Sequence, residues 1–285
     1  MKLAAELQPD QQAARWDNHV AVYETVFEPL SNLFARQALD FLDLRAGHRL
    51  IDVGAGSGGA AMVAAECGVN VFAIDASAGM VARLRERAAL LASNGHVDAE
   101  VMDGTALALP EASFDAAMSV FGVILFPDAD LGMREIARVL RPGGRAAIVT
   151  WTESERYELV TRLLAAITTV RGPLAPPASL PAQLRFRDEE AFRDLLSQSG
   201  LVVERVVRLE KRWCLPSARW IANHIAFAPG MSAMIDALGA DRARVLDSFV
   251  LTLERDQGRG EVFLTAVAQV GVAVKPGQKM NLPTA

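Results

Sequence analysis

Cysteine, histidine and tyrosine are scarce in this sequence. Its 285 residues include 2 cysteines, 4 histidines and 2 tyrosines. Cys67 and Cys214 lie far apart with no Cys-x-x-Cys spacing, so neither a disulfide framework nor a zinc site is indicated, and no metal is expected. Both cysteines are expected to be small buried hydrophobes. Long apolar runs are missing as well. None approaches the ~18 apolar residues that a membrane span needs. A basic excess is also absent. The net charge is −5, whereas binding nucleic acid as the main partner wants a basic surface. The four basic residues between Arg205 and Arg212 read as a solvated strand face. The opening Met1-Lys-Leu-Ala-Ala-Glu-Leu7 starts like a secretion signal, but Glu6 and Asp10 interrupt any apolar core. A cytoplasmic location is expected.

What is plentiful is apolar. The chain is 51% hydrophobic and 22% charged, the balance of a globular protein with one large α/β domain or two smaller ones. One stretch stands out: Leu50-Ile-Asp-Val-Gly-Ala-Gly-Ser-Gly-Gly59. A short apolar run reads as a buried strand, and the glycines after it let the backbone turn sharply and bring N–H groups to a small polar ligand. Gly54-x-Gly56-x-x-Gly59 also fits the dinucleotide fingerprint. The loop alone leaves the ligand open.

The pattern around it is regular. Strands are expected over 49–53, 69–75, 97–102, 114–120 and 145–151, with helices over 60–67, 78–93 and 130–140. Pro142-Gly-Gly144 is read as the stop of the third of these helices. Such alternation demands a parallel sheet with helices on both faces. Ligands then sit beyond the carboxyl ends of the strands. The glycine loop, Asp75, Asp103 and Ser119 all fall at such ends. Residues 11–43 are expected to be helical, interrupted at Pro29. After Trp151 the spacing predicts a helix over 153–170, a proline-rich connector over 173–181, a helix over 189–199 and a strand over 201–215. A helical stretch over 218–255, broken at Pro229-Gly230 and Gly239, precedes a final strand over 261–274 and a frayed tail from Lys275. The two helical segments are too short to be domains and are expected to cap the carboxyl edge of the sheet.

Five motifs occur in order: Ile51-Asp-Val-Gly-Ala-Gly-Ser-Gly58, Phe72-Ala-Ile-Asp75-Ala-Ser, Met102-Asp103-Gly-Thr-Ala-Leu-Ala-Leu-Pro110, Ser113-Phe-Asp-Ala-Ala-Met-Ser119 and Glu135-Ile-Ala-Arg-Val-Leu-Arg-Pro-Gly-Gly144. Together they resemble the class I S-adenosylmethionine-dependent methyltransferases. The style is that of small-molecule enzymes related to the ubiquinone and menaquinone methyltransferases. The resemblance runs in register over 49–151. It implies one Rossmann-like α/β domain over 1–285, with a seven-stranded, mostly parallel sheet whose last strand is antiparallel. Residues 11–43 would form an N-terminal helical cover, 49–151 the cofactor core, and 152–188 and 216–258 helical cap insertions.

The resemblance also implies S-adenosylmethionine as cofactor. Gly54, Ala55, Gly56 and Gly58 would let the loop approach its amino-acid arm. Asp52 would hold the loop or reach the ammonium through water. Asp75 would accept both ribose hydroxyls, or else cap the following helix. Ala76 and Met80 would flank the adenine, with a core role for Met80 as the alternative. Asp103 would accept the adenine amine beside the Gly104 and Thr105 backbone, or else act as a cap. Ser119 would lie near the methionine chain. The helix carrying Trp16, His19 and Tyr23 would fold over the cofactor.

Methyl transfer from a sulfonium is an in-line displacement whose main requirement is alignment in a water-poor pocket. Where a general base is used, His19 and His224 are the candidates, with Tyr157 a third. His48 and His96 fall in turns at the wrong edge of the sheet. The segment Phe121-Gly-Val-Ile-Leu-Phe-Pro-Asp128 offers no histidine, and no Asn-Pro-Pro-Tyr element is present. Trp213, Trp220, Ile221, Ile225, Phe227, Met231, Met234 and Ile235 divide between core and an apolar acceptor pocket. A small hydrophobic acceptor is expected: a phenol, quinol, polyketide or isoprenoid-like molecule. Arg185, Arg187 and the 205–212 run keep an acidic, phosphate-bearing substrate open. The rival readings are a non-catalytic S-adenosylmethionine-binding module and an NAD(P)-dependent oxidoreductase. Which atom is methylated and the oligomeric state are not legible.

Overall fold

Three apolar runs do not alternate, because both faces of the central strands are covered. Leu50, Ile51 and Val53, Ala116 to Met118, and Ala146 to Val149 are all buried. The computed structural model describes residues 6–175 and 179–277. Seven strands form one sheet: β1 (Arg49–Val53), β2 (Asn70–Asp75), β3 (Val97–Val101), β4 (Phe114–Val120), β5 (Leu140–Trp151), β6 (Val202–Leu215) and β7 (Val262–Val274). Their order is β3-β2-β1-β4-β5-β7-β6. Neighbours pair in parallel from β3 to β5, and β7 runs antiparallel to both β5 and β6. This is the mostly parallel α/β sheet with an antiparallel last strand that the sequence predicts.

Helices α4 (Gly59–Glu66), α5 (Ala78–Ala89) and α6 (Ala129–Val139) fill the expected crossovers. The segment expected as one interrupted helix over 11–43 is three: α1 (Ala13–Trp16), α2 (Val20–Val26) and α3 (Glu28–Phe41). Pro29 does not break α3. It sits in the first turn, where its missing N–H has no helical partner to lose. The long helix α3 packs across β4, β5, β6 and β7.

Strand β5 also differs from expectation. It starts at Leu140, and a register shift carries its pairing from Phe114–Leu140 to Ala116–Arg145. Pro142-Gly-Gly144 therefore forms a bulge within the strand, held by Gly143 N–H to Lys275 O and Lys275 N–H to Gly144 O. The Lys275 ammonium donates to the carbonyls of Arg138 and Leu140, so Lys275 itself is anchored and not frayed. The expected tail beyond 277, the middle of the proline-rich connector (176–178) and the opening five residues lie outside the described residues.

The later helices are α7 (Glu158–Arg171), α8 (Glu189–Gln198), α9 (Ala218–Asn223), α10 (Pro229–Asp236) and α11 (Arg242–Gln257). The stretch read as 218–255 breaks close to where Pro229 and Gly239 predicted. Helix α11 packs on α7 and α9, while α10 meets the short turn Pro9–Gln11. Arg205, Arg208 and Arg212 are exposed along the edge strand β6. Both cysteines are exposed, which corrects the expectation of burial. Cys214 alternates outward on that edge strand, and Cys67 lies just past the end of α4.

Candidate active site

The site begins where β1 ends. Gly54 and Gly56 have φ of 74° and 57°, backbone that side chains rarely adopt. A Cβ on Gly54 would lie 2.9 Å from the Gly122 Cα, so the loops after β1 and β4 meet backbone to backbone. The Tyr23 ring covers Gly56 at 3.4 Å from where its Cβ would be. Asp75 ends β2. Its Oδ2 accepts the Gly56 N–H at 2.8 Å and its Oδ1 accepts the Ser77 N–H at 2.8 Å. The helix cap after it is the Ser77 hydroxyl, which accepts the Met80 N–H, so Asp75 is not the cap. Burial pushes the Asp75 carboxyl up, against the Ser77 and Gly56 hydrogen bonds that pull it down. After β3, Asp103 Oδ1 accepts both the N–H and the hydroxyl of Thr105, at 2.8 and 2.7 Å. That closes a tight turn and leaves Oδ2 outside it.

These ends border a cavity of about 700 Å³. Gly54, Gly56, Ile74, Asp75, Ala76, Met80, Met102, Asp103 and Gly104 line one part. The rest is walled by Phe121, Trp151 and Tyr157, by Pro181, Gln183 and Leu184, and by Phe227, Met231 and Met234 of the later segment. Trp151 stacks on Phe121 at 4.2 Å and 18°, and Tyr157 stacks on Trp151 at 4.6 Å and 8°.

The N-terminal segment closes the cavity. Trp16 and Tyr23 line it and meet edge to face at 5.8 Å. Asp17 accepts the Ser77 hydroxyl at 2.6 Å and the Gly79 N–H at 2.8 Å, which ties the cover to the start of α5. Glu28, buried, takes hydrogen bonds from the Ser57 hydroxyl and from Arg87 at 2.7 Å. Gln8 is bound to Leu180 O and Ala182 N–H across the mouth.

Five expected residues stand elsewhere. Gly58 starts α4, and a Cβ there would strike Leu84 at 2.5 Å. Its lack of a side chain serves helix packing. Ser119 is spent on the backbone, donating to Val53 O at 2.6 Å and accepting from Val123 N–H at 2.9 Å. The Thr105 side chain belongs to the Asp103 turn. Ala55 and Asp52 border a small neighbouring pocket with Tyr23 and Glu28, outside the large cavity. Asp52 is only 1% exposed, and its Oδ2 has no hydrogen-bond partner among the described residues. Burial, reinforced by the nearby Asp75 charge, pushes its carboxyl up to about 7.

Neither histidine is placed as a base. His19 and His224 are both absent from the cavity wall. His19 is held by Arg15 O at 2.7 Å and Ser232 Oγ at 3.2 Å. His224 bonds Trp220 O at 2.8 Å and stacks on the Trp220 ring at 4.3 Å. Tyr157 does reach the cavity, and burial holds its phenol above the ordinary range. Sequence reasoning missed Asp10, Met102, Gly122 and Phe126 in the wall. Phe126 packs where a Cβ on Gly104 would lie 2.4 Å from its ring, a fit that only the fold brings together. Asp10 had no local signal either.

The geometry can be set beside known proteins. A methyltransferase-domain family matches residues 51–148. A demethylmenaquinone methyltransferase of Beutenbergia cavernae is 31% identical over 197 residues, which cover 68% of this chain and 80% of that protein. The chain belongs to the class I S-adenosylmethionine-dependent methyltransferases. Among other relatives of this methyltransferase, an uncharacterized protein of Mycobacterium tuberculosis is 29% identical over 244 residues, 84% of this chain and 81% of that one. Two solved structures share the fold. A putative methyltransferase from Bacillus halodurans has TM-score 0.55 and 15% identity, over 85% of this chain and 98% of that chain. The cyclase SpnF has TM-score 0.54 and 22% identity, over 86% and 81%.

The methyltransferase's site fits its cofactor. The glycine cradle would be filled by any Cβ, Asp103 Oδ2 lies outside its turn, and the buried Asp52 Oδ2 has no described partner beside that cradle. Apolar Ile74, Ala76 and Met80 supply the flanks a flat base requires.

Proposed function

We propose that this methyltransferase acts on a small, largely hydrophobic acceptor of the phenol, quinol, polyketide or isoprenoid-like kind. The observation that carries the reading is the continuity of one cavity, from the glycine loop and Asp75 to the aromatic wall of Phe121, Trp151 and Tyr157. When bound, S-adenosylmethionine supplies a methyl group already activated on a sulfonium. The residues then bind, orient and exclude water. Asp75 holds the ribose hydroxyls while keeping the loop in place through the Gly56 amide. Asp103 Oδ2 takes the adenine amine. Ala76 and Met80 flank the base, and Asp52, in the small pocket beside the glycine loop, reaches the ammonium through water. Trp16 and Tyr23 cover the site from the N-terminal segment. Residues 152–188 and 216–258 cap the acceptor half, and their apolar lining keeps water out.

Methyl transfer needs alignment before it needs a base. The two histidines stand off the cavity wall, which supports a reaction governed by positioning. The relative's name, demethylmenaquinone methyltransferase, supports a quinol-like acceptor. An open cavity also favours an enzyme over a binding module, in which the acceptor half would be collapsed. The two exposed free cysteines support a reducing compartment, and we keep the cytoplasm as the proposed location.

The test is incubation of a cellular extract with heavy-methyl-labelled cofactor, followed by mass spectrometry. The reading expects label in one or a few apolar small molecules. Label confined to macromolecules or phosphate esters overturns it.

A further inference from the structure

The charged side chains in the cavity wall are all acidic. They are Asp10, Asp75, Asp103 and Glu153, and among the described residues no lysine, arginine or histidine joins them. Asp75 and Asp103 belong to the glycine-loop half. Glu153 is paired with Arg208 at 3.2 Å. Asp10 makes no ion pair among the described residues, and His19 acts on it only through its charge. Its Oδ1 accepts the Gly230 N–H at 2.7 Å, and no described residue donates to Oδ2. Gly230 makes room for that oxygen: a Cβ there would lie 2.3 Å from it. His19 and the Gly230 N–H pull the Asp10 carboxyl down, by less than burial pushes it up. A carbonyl can only accept, so the contact with Arg15 O places the proton on Nδ1. Nε2 meets the Ser232 hydroxyl at 3.2 Å. On balance burial pushes the Asp10 carboxyl up, and a cation bound beside it would restore its charge.

A second observation points the same way. The Tyr157 hydroxyl is buried with no hydrogen-bond partner among the described residues, although a buried polar group costs free energy unless it is paired. It ends the stack with Trp151 and Phe121. Aromatic faces attract cations and accept flat rings. An anionic acceptor finds no cationic side chain in the wall to meet it. Arg185, the nearest arginine in sequence to the lining segment, is spent on the carbonyls of Ile124, Phe126 and Pro127.

We propose that the acceptor is a flat, apolar amine, and that Asp10 is the residue that recognises its cationic nitrogen. This rests on the methyltransferase reading above, keeps its small apolar acceptor and adds a basic nitrogen to it. Asp10 is a specificity residue here, with no role assigned in the transfer itself.

Calorimetry on the protein loaded with S-adenosylhomocysteine tests it, using three probes of one skeleton: naphthylmethylamine, naphthylmethanol and naphthoate. The amine should bind about tenfold or more tighter than naphthoate, the scale of one hydrogen bond to a charged group. Asp10→Asn keeps an acceptor for Gly230 and should abolish that preference. Naphthoate binding as tightly as the amine overturns the proposal, and so does an amine that does not bind. A preference that survives Asp10→Asn overturns it too. Failure of S-adenosylhomocysteine to bind in the first titration strikes the parent reading instead.

Discussion

Asp75 Oδ2 accepts the Gly56 amide at 2.8 Å, so the acid that ends β2 and the turn that follows β1 are one unit. The two sit 19 positions apart, at the carboxyl ends of strands that pair in parallel. Removing the carboxylate strands the amides of Gly56 and Ser77 as well as any ribose hydroxyls. Asp75→Ala should therefore cost about 2–4 kcal/mol of cofactor affinity, roughly 30- to 1000-fold. Calorimetry with S-adenosylhomocysteine measures it, with circular dichroism to check folding. A loss smaller than threefold, on the order of a neutral surface contact, would remove Asp75 from the binding role.

Asp52 sets a pH dependence. Its carboxyl stands at about 7 in the ligand-free fold, well above the ~3.9 of an unfolded aspartate. A raised acid stays protonated in the fold while the unfolded chain ionises. Its contribution to stability is present below the unfolded value and is lost as pH climbs to about 7. The cofactor's ammonium wants the opposite, an ionised Asp52. Affinity for S-adenosylhomocysteine should therefore rise between about pH 5 and pH 7, by up to about tenfold per unit. The rise levels off above about pH 7, where Asp52 is already ionised in the free protein. Asp52→Asn should flatten the profile. A wild-type profile already flat across that window removes the ammonium assignment.

Gly122 is the partner of the glycine loop that carries no fingerprint of its own. A Cβ on it would lie 2.8 Å from Val53 O and 2.9 Å from Ser119 Oγ, both fixed by the strand ends. Gly122→Ala should destabilise the fold by about 1–3 kcal/mol, as overpacking does. It should also weaken cofactor binding, because Gly54 must move. A urea melt and a cofactor titration report the two effects. Gly143→Ala is the control for a crowded glycine: nothing lies within 4 Å of its Cβ, and only its φ of 82° is strained.

What was legible depended on how local each signal is. The strand Leu50 to Val53, the turn at Gly54 and Gly56 and the place of Asp75 at the end of β2 were legible because apolar strand, turn and acid follow within one crossover. Pro29 was misread since proline stops a helix interior yet suits a first turn, and only the true start at Glu28 tells these apart. His19 and His224 have helical spacing to aromatic neighbours, but spacing does not say which face meets a cavity. Trp16 and Tyr23 line the wall while His19 between them turns to Ser232. Asp10 meets Gly230 across 220 positions. No window of sequence holds both. Cys214 was expected inside because cysteine is so often buried; an edge strand exposes alternate residues whatever they are.

The cover is fastened by a charge pair whose removal should be informative. Glu28 has 8% side-chain exposure and Arg87 has 22%, with 2.7 Å between their charged atoms. Arg87 also donates to Ser57 O at 2.9 Å, next to the glycine loop. Taking away the arginine leaves a carboxylate in an apolar setting, helped only by the Ser57 hydroxyl. Arg87→Met should then cost about 3–5 kcal/mol, whereas exchange of both residues for apolar ones restores much of the loss. Urea melts of Arg87→Met and of Glu28→Met/Arg87→Met compare the two. If the pair matters only as packing, the double variant falls below the single one, because a second side chain has been reshaped. If the uncompensated charge dominates, the double variant is the more stable by about 1 kcal/mol or more. The burial of Glu28 predicts the second outcome, with the N-terminal segment staying on the cavity in the double variant and leaving it in the single one.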